Sequence, residues 1–228
     1  TSAATRQNAE ELTVVINDGV VTPAACVFTS NRAKAHPIVW SQQVMVGGSA
    51  KAIVLNAGGA NCFTGPEGFA LTHRSAETLA AALGDTGASE ILVCSTGLSG
   101  ELLPAGAVLE GIAQAVGRAE ATPEAGAASS LAILTTDSHA KTAVTTLDTP
   151  EGTITLGGMA KGAGMLAPGL ATMLVVITTD AVMECEGLNS ALRAATRVSF
   201  DRLDSDGCMS TNDQVTLMAS GASGIAPD

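Results

Sequence analysis

The stretch GGMAKGAGMLAPGLATMLVVITTDA, residues 157–181, joins a glycine-rich segment to an apolar run typical of a strand. Four glycines and Lys161 fall within its first eight residues, and the small pair Ala171-Thr172 immediately precedes the run MLVVIT at 173–178. Glycine at this density indicates an unusual backbone geometry or the close approach of another group. The stretch therefore predicts a flexible loop that leads directly into a buried strand.

Seven further short runs of β-branched and apolar residues predict strands, and helical patterns lie between them. The strand runs are 12–16, 24–28, 51–55, 90–94, 143–147, 153–156 and 215–219. The helical patterns are 72–84, the single face formed by Leu109, Ile112, Ala113 and Val116, then 123–133 and 187–200. A hairpin turn is expected at 148–152 and a surface connection at 117–126. Strands and helices mixed without a strict βαβ rhythm favour an α+β fold built from layers over a doubly wound sheet.

Composition excludes several classes of function. The 228 residues, 46% of them hydrophobic, can bury a substantial core, but aromatic residues make up only 2% and the formal net charge is −11. Such a chain lacks stacking platforms and repels phosphate, so neither nucleic acid nor an anionic membrane is an expected partner. No apolar run approaches a membrane span, the N-terminus lacks the parts of a signal peptide, and five widely spaced cysteines form no CxxC. These features predict a cytoplasmic protein.

The sequence contains partial matches to cofactor-binding motifs, but the residues around them do not fit. Gly162-x-Gly164-x-x-Ala167 weakly matches a dinucleotide fingerprint, but Pro168 and a strand follow where a helix must begin. Lys161 is followed by glycine rather than by the Ser or Thr of a P-loop. Three histidines lie too far apart in the sequence for a local metal site, namely His36, His73 and His139. The sequence therefore predicts neither a metal nor a bound cofactor.

Thr172 lies at the predicted junction of loop and strand. A threonine hydroxyl is a poor nucleophile unless a base adjoins it, and an N-terminal threonine can use its own α-amine as that base. An internal threonine gains this amine only by self-cleavage, in which its hydroxyl attacks the preceding carbonyl and water then releases the new terminus. The small Ala171 and the upstream glycines leave room for a distorted peptide bond. The pattern alone leaves open that Thr172 simply begins a strand.

The segment GGMAKGAGMLAPGLATML, residues 157–174, closely resembles the self-processing site of the bifunctional glutamate/ornithine N-acetyltransferase family of arginine biosynthesis. Other signatures of that family follow one another in the expected order along almost the whole chain. They are VFTSNRAKAHPIVWS (27–41), VLNAGGANCFTGPEG (54–68), CSTGLSGELLP (94–104), ILTTDSHAK (133–141) and FDRLDSDGCMSTND (200–213).

The resemblance implies cleavage between Ala171 and Thr172. Residues 1–171 would then belong to an α chain and residues 172–228 would begin a β chain, with an N-terminal segment and a C-terminal portion of the family missing from this sequence. The implied fold is an α/β/β/α sandwich of mixed sheets with flanking helices, similar to that of self-processing aminopeptidases.

The resemblance also implies roles for particular residues. Thr172 is expected to be the nucleophile that takes acetyl from N-acetylornithine and passes it to glutamate in a ping-pong reaction. Thr96 and Gly97 are expected to stabilise the oxyanion of the tetrahedral intermediate. Thr135 and Lys161, together with Thr172, are expected to bind substrate, with the lysine holding a carboxylate or the developing negative charge.

Several alternatives stay open at the level of sequence. Considered singly, Thr135 could cap a helix end, Thr96-Gly97 could form a turn, and Lys161 could lie in a solvated loop. A related self-processed site could also release its acyl group to water as an aminopeptidase or amidase does, and an unprocessed protein would have no catalytic role. The resemblance implies a heterotetramer of two α and two β chains, and it leaves open whether acetyl-CoA is a further acetyl donor.

Overall fold

The computed structural model describes residues 11–165 and 173–227, which form eight strands and five α-helices. The strands are β1 (Leu12–Ile16), β2 (Ala24–Phe28), β3 (Ala52–Asn56), β4 (Ile91–Ser95), β5 (Lys141–Thr149), β6 (Gly152–Lys161), β7 (Leu174–Thr179) and β8 (Gln214–Ala219). The helices are α1 (His36–Val44), α2 (Gly65–Leu83), α3 (Ala105–Gly117), α4 (Pro123–Ala132) and α5 (Cys185–Val198). Every predicted strand is present, the hairpin between β5 and β6 turns where it was expected, and the α+β class is confirmed.

Two sheets stack face to face between helices. The strand orders are β1-β3-β4 and β2-β8-β7-β6-β5, with the pairs β3–β4 and β7–β8 parallel and all other pairs antiparallel. Ile53 and Leu55 of the first sheet share one core with Leu174 and Val176 of the second. Helices α2 and α3 pack on the outer face of the first sheet, and α5 packs on the outer face of the second. The predicted α/β/β/α layering is therefore confirmed.

Helix α1 was not predicted, and its contacts show why it forms. It lies along the open edge of β4, where the Trp40 indole N–H donates to the Ile91 carbonyl at 2.9 Å. The Ser41 hydroxyl donates to the Val93 carbonyl at 2.9 Å and accepts the Val93 N–H at 3.0 Å. Because an exposed sheet edge leaves backbone groups unpaired, these side chains complete the hydrogen bonding of β4.

The loop predicted at the glycine-rich segment is wrong in its first half. Strand β6 continues through Gly157 and Gly158 to Lys161, and it pairs with β5 on one side and β7 on the other. A Cβ atom on Gly158 would lie 3.2 Å from the Val176 carbonyl oxygen, closer than a side chain ordinarily approaches. The close approach that the glycine density indicated is therefore present at Gly158, between two strands of a sheet, whereas the flexible loop is not.

The second sheet draws strands from both sides of the expected cleavage point. Strands β7 and β8 occupy its middle, between β2 and β6, which precede them in the chain. Ala171 and Thr172 themselves lie outside the described residues. The segments before and after them are therefore parts of one sandwich rather than two separately folded units, and a cut between them would leave the sheet's hydrogen bonds in place.

Within the two described ranges, 11–165 and 173–227, no helix combines the length and apolar character needed to cross a bilayer. The 19-residue helix α2 is long enough, but it carries charged and polar residues such as Glu67, Arg74 and Glu77.

Candidate active site

The site is centred on Lys161, the last residue of β6. Its side chain is buried, with 2% of the residue exposed, and its Nζ donates to Thr96 Oγ1 at 3.0 Å and to Thr135 Oγ1 at 2.9 Å. The two hydroxyls lie 65 and 26 residues away in the sequence. Three of the residues singled out from the sequence therefore meet at one nitrogen atom, and the alternative of a solvated loop for Lys161 is wrong.

The topology explains why these residues meet. Lys161 lies opposite Leu174 in the ladder of β6 and β7, and Leu174 belongs to the core between the two sheets. Facing residues in a ladder share a face, so the lysine also points between the sheets. Thr96 directly follows β4, and Thr135 lies shortly after α4. The site thus forms at one end of the sandwich, where strand ends from both sheets converge.

Nearby charges oppose the cost of burying the lysine. Burial lowers the pKa of Lys161, and the positive charge of Lys141 lowers it further. The carboxylates of Asp137 and Asp213 act in the opposite direction, although the net shift remains downward. An unpaired ammonium would be far more costly to bury, so the two aspartates are what allow a cation at this position.

Asp137 holds the loop after α4 against the end of β6. Its Oδ1 accepts from Lys141 Nζ at 2.6 Å and from the Gly162 N–H at 2.7 Å, while Oδ2 accepts from the Thr135 N–H at 3.4 Å. Burial alone would raise the pKa of this carboxyl, but the hydrogen bonds and the charge of Lys161 outweigh it and the pKa is lowered. Asp137 is therefore a carboxylate that fixes both Thr135 and the backbone beside Lys161.

Thr96 and Gly97 lie together beside the lysine and offer two donors. The Thr96 N–H is committed to the Asn56 carbonyl at 2.9 Å, and its Oγ1 accepts from Lys161, so the hydroxyl proton is left to donate elsewhere. The Gly97 N–H meets no acceptor among the described residues. Gly97 has a φ of +129°, and a Cβ there would lie 2.8 Å from Gly59 N. Only glycine fits this position without moving the neighbouring backbone.

Asp213 is a second carboxylate to which the sequence analysis assigned no role. It is fully buried just before β8, and its Oδ1 accepts the Met173 N–H at 2.9 Å. Met173 directly follows the expected nucleophile in the chain. The neighbouring Asn212 donates to the carbonyls of Ala60 at 2.6 Å and Ser95 at 2.8 Å. Two consecutive side chains thus connect the segment before β8 to the start of β7 and to the loops beside Thr96.

Burial makes the Asp213 carboxyl a weaker acid than an ordinary aspartate. Burial raises the pKa of Asp213 to about 7, although the Met173 N–H, the nearby Ser210 and Thr29 hydroxyls and the charge of Lys161 all favour ionisation. The Thr29 hydroxyl donates to the Ser210 carbonyl at 2.7 Å, and no donor in the described part of the chain makes a well-formed hydrogen bond to Asp213 Oδ2. Oδ2 is therefore a buried acceptor with unused capacity.

Both aspartates lie within segments that were recognisable in the sequence, ILTTDSHAK and FDRLDSDGCMSTND. Their role there was hidden because aspartates among Thr, Ser, Asn and Gly are typical of surface turns. Residues 11–165 and 173–227 contain no group of three or more His, Cys, Asp or Glu side chains arranged to hold a metal ion.

The sandwich is similar to a known type of fold. A structure from Ochrobactrum anthropi, an L-aminopeptidase D-Ala-esterase/amidase described as a variant of the Ntn hydrolase fold, superimposes with a TM-score of 0.54. The match covers 94% of this chain and 68% of that one at 13% identity, so it shows a shared fold and nothing more. The sandwich is thus of the kind found among Ntn hydrolases.

The chain belongs to the ArgJ family, whose sequence profile matches residues 1–228. The arginine biosynthesis bifunctional protein ArgJ of Streptomyces coelicolor is 58% identical over 218 residues, which cover 96% of this chain and 55% of that protein. The chain therefore spans about half the length of the curated relatives that it matches. Ornithine acetyltransferase from Mycobacterium tuberculosis, solved in complex with ornithine, gives a TM-score of 0.66 at 46% identity, covering 72% of this chain and 84% of that one.

Proposed function

We propose that the protein is a self-processed acyltransferase of arginine biosynthesis that moves acetyl from N-acetylornithine to glutamate. Membership of the ArgJ family supports this proposal, as does the likeness to an ornithine acetyltransferase that was solved with ornithine bound. The observation that carries it is the convergence of Thr96 and Thr135 on the buried Nζ of Lys161, at 3.0 and 2.9 Å. A buried cation surrounded by hydroxyl donors is suited to stabilising negative charge that develops during acyl transfer.

In this proposal Thr172 is the nucleophile and its freed α-amine is the general base. The amine takes the hydroxyl proton while Oγ attacks the acetyl carbonyl, and the Thr96 hydroxyl and Gly97 N–H donate to the resulting oxyanion. Collapse of this intermediate breaks the amide bond and returns the proton to the departing ornithine nitrogen. Glutamate then attacks the acetyl ester on Thr172 in the reverse sequence, which makes the kinetics ping-pong.

Lys161 acts in this scheme through the hydroxyls that it contacts. Since its Nζ donates to Thr96 Oγ1, its charge makes the Thr96 hydroxyl a stronger donor towards the oxyanion. The same contact to Thr135 orients a second hydroxyl for binding substrate. Burial limits direct contact between Lys161 and a substrate carboxylate, so stabilisation of the developing charge is the role that we assign to it.

Cleavage between Ala171 and Thr172 is part of the proposal. The shared second sheet explains how the α and β chains would stay associated, because β7 and β8 remain hydrogen-bonded between β2 and β6. We further propose that two α and two β chains form the working assembly. Acetyl-CoA is a candidate second donor, which the assay below includes.

The proposal is tested by the intact mass of the denatured full-length protein together with an acetyl-exchange assay. We expect two masses that sum to the precursor mass plus one water, with the C-terminal chain beginning Thr-Met-Leu. We also expect transfer of labelled acetyl from N-acetylornithine to glutamate. One uncleaved mass without transfer would overturn the proposal. Release of labelled acetate without transfer would favour the aminopeptidase or amidase alternative, and labelled acetyl-CoA offered separately tests the second donor.

A further inference from the structure

The peptide group between Ser95 and Thr96 is held at both ends. Its carbonyl oxygen accepts from Asn212 Nδ2 at 2.8 Å, and its N–H donates to the Asn56 carbonyl at 2.9 Å. Because a peptide group is planar, two hydrogen bonds on opposite sides fix the orientation of the whole unit. Lys161 Nζ holds the Thr96 hydroxyl oxygen from a third direction, at 3.0 Å. The backbone and the side chain of Thr96 are therefore both fixed in direction.

Gly97 is held against a neighbouring loop. A Cβ on Gly97 would lie 2.8 Å from Gly59 N, so the two backbones are in close contact. The Leu98 carbonyl accepts the Ala60 N–H at 2.8 Å, which ties the same two loops together beyond the glycine. Asn212 Nδ2 also donates to the Ala60 carbonyl, at 2.6 Å. One amide nitrogen thus holds both loops that define the position of Gly97.

The Asn212 side chain matches these contacts in its chemistry. The residue is buried, and its Oδ1 accepts from the Thr211 hydroxyl at 2.6 Å, so the two Nδ2 protons are directed at the two carbonyls. Its own N–H donates to Ser210 Oγ at 3.0 Å, which fixes the backbone that carries it. An ionised aspartate of the same shape would place an oxygen with no proton against two carbonyl oxygens. The position therefore requires a donor of two hydrogen bonds.

We propose that Asn212 is a positioning residue for acetyl transfer, one that holds the Ser95–Thr96 peptide and the adjoining loop so that the Thr96 hydroxyl and the Gly97 N–H point at the developing oxyanion. This inference rests on the proposed function, in which those two groups are the oxyanion donors. Asn212 touches neither substrate nor the reacting atoms, and it acts through the backbone of Ser95 and Ala60.

This role has a specific kinetic consequence. Donors aimed at the oxyanion lower the energy of the transition state more than that of the bound substrate, so their misplacement lowers kcat and leaves KM nearly unchanged. An oxyanion forms both when N-acetylornithine donates acetyl and when glutamate accepts it. Loss of Asn212 should therefore slow the two half-reactions by the same factor, whereas loss of a contact to one substrate would slow only one of them.

The test compares N212A with N17A in the full-length protein. Asn17 is also buried, and its Nδ2 likewise donates to two backbone carbonyls, those of Val21 at 3.1 Å and Ala219 at 2.8 Å. It follows β1 at the end of the first sheet away from Asn56, because Leu12 is the residue of β1 that pairs with Asn56. Both variants lose two amide donors to backbone carbonyls, but only N212A loses them beside Thr96.

Three measurements are made on each processed variant. Steady-state kinetics should show kcat for acetyl transfer lower by about 10- to 100-fold in N212A and by less than about twofold in N17A, with KM little changed in both. Single-turnover mass analysis follows the acetylation of the protein by N-acetylornithine and its deacetylation by glutamate, and both rates should fall equally in N212A. The midpoint of thermal unfolding should fall in both variants, since each leaves two buried carbonyls without their donor.

Each result supports or overturns the inference. A wild-type kcat in N212A would overturn it, and so would a fall confined to one half-reaction, which would mean that Asn212 serves one substrate. An equal loss of kcat in N17A would also overturn it, because the loss would then follow from stability alone. Should N212A fail to fold, N212S keeps one hydroxyl donor, and its kcat must fall with KM unchanged. A wild type that transfers no acetyl would end the proposed function and this inference with it, whereas the other outcomes leave the proposed function intact.

Discussion

Lys161 Nζ lies 3.0 Å from Thr96 Oγ1, a contact that joins the end of β6 in one sheet to the residue after β4 in the other. The two sheets therefore meet at a polar contact at this end of the sandwich, whereas Leu174 and its neighbours fill the interior with apolar side chains. The negative charges of Asp137 and Asp213 favour the protonated form of Lys161 and so stabilise this buried contact. A substitution in this cluster should therefore change activity or stability according to the hydrogen bond or charge that it removes.

Lys161→Ala should lower kcat/KM for acetyl transfer about 10- to 150-fold, the range expected when a hydrogen-bonded charged group is lost. Some processing should remain, because the hydroxyl of Thr172 and the scissile bond are unaffected by the substitution. Steady-state kinetics and intact mass measure the two effects separately. Lys34→Ala is the control, since Lys34 is exposed and its Nζ contacts only Gln42 at 3.2 Å among the described residues. A Lys161→Ala enzyme with wild-type kcat/KM would contradict the role assigned to the cation.

Gly97→Ala should impair both folding and transfer. Its Cβ would lie 2.8 Å from Gly59 N and 2.9 Å from Gly58 C, and these are backbone atoms that cannot rotate away. Gly100→Ala is a matched control in the same loop, because Gly100 also has a positive φ, +87°, but a Cβ there meets nothing within 4 Å. Backbone strain alone should cost Gly100→Ala about 1–2 kcal/mol. The midpoint of thermal unfolding should fall further in Gly97→Ala, and equal decreases would show that the predicted clash is relieved.

The predicted strands and the structure agree because strand patterns are local. LTVVI and KAIVL alternate or cluster β-branched residues, and such runs specify a strand wherever a core is available. Helix α1 depends instead on contacts made in the folded protein. These are the hydrogen bonds of Trp40 and Ser41 to β4, and no local sequence pattern predicts them. The glycine density had indicated a close approach, but that the approaching group at Gly158 is the Val176 carbonyl of a neighbouring strand is settled only in the folded sheet.

In the candidate site too, some features could be predicted from local sequence and others depend on the fold. Thr96, Gly97, Thr135 and Lys161 were identified by their segments, but the burial of Lys161 could not be predicted. It depends on Asp137 and Asp213, which come from two other parts of the chain and are typical of turns when considered alone. Charge compensation across distant segments is a property of the fold rather than of any motif.

Asp137→Asn should destabilise the protein at neutral pH and have little effect in acid. The pKa of Asp137 is lowered from 3.8, so its ionised form is favoured by folding. That stability is fully present above the unfolded pKa of about 3.8 and is lost as the pH falls through the lower folded value. The loss at pH 7 should be about 1–3 kcal/mol. Unfolding midpoints of both proteins between pH 3 and 8 should converge at the acid end, and a constant separation would exclude the titration of Asp137 as the cause.

Thr172→Ala should abolish both cleavage and acetyl transfer. The substitution removes the attacking hydroxyl, and without cleavage no new N-terminus is formed. Intact mass should show one chain, and the exchange assay should show no activity. Thr172→Ser keeps a hydroxyl and should retain cleavage, which makes it the matched control. Cleavage of Thr172→Ala at the wild-type rate would exclude the self-processing mechanism.

The Asp213 carboxyl should make the stability of the uncleaved Thr172→Ala protein depend on pH. Burial raises the pKa of Asp213 from 3.8 to about 7, so between these values the folded state binds more protons than the unfolded state. Stability due to this carboxyl is therefore greatest in acid and declines as the pH rises to about 7, where it levels off. Adding Asp213→Asn removes the titration, because an amide has no proton to lose in this range. The midpoint of thermal unfolding of the double variant, relative to Thr172→Ala alone, should rise steadily from pH 4 to pH 7 and then stay constant. A difference that does not change across this range would mean that Asp213 has an ordinary acidity in the uncleaved protein.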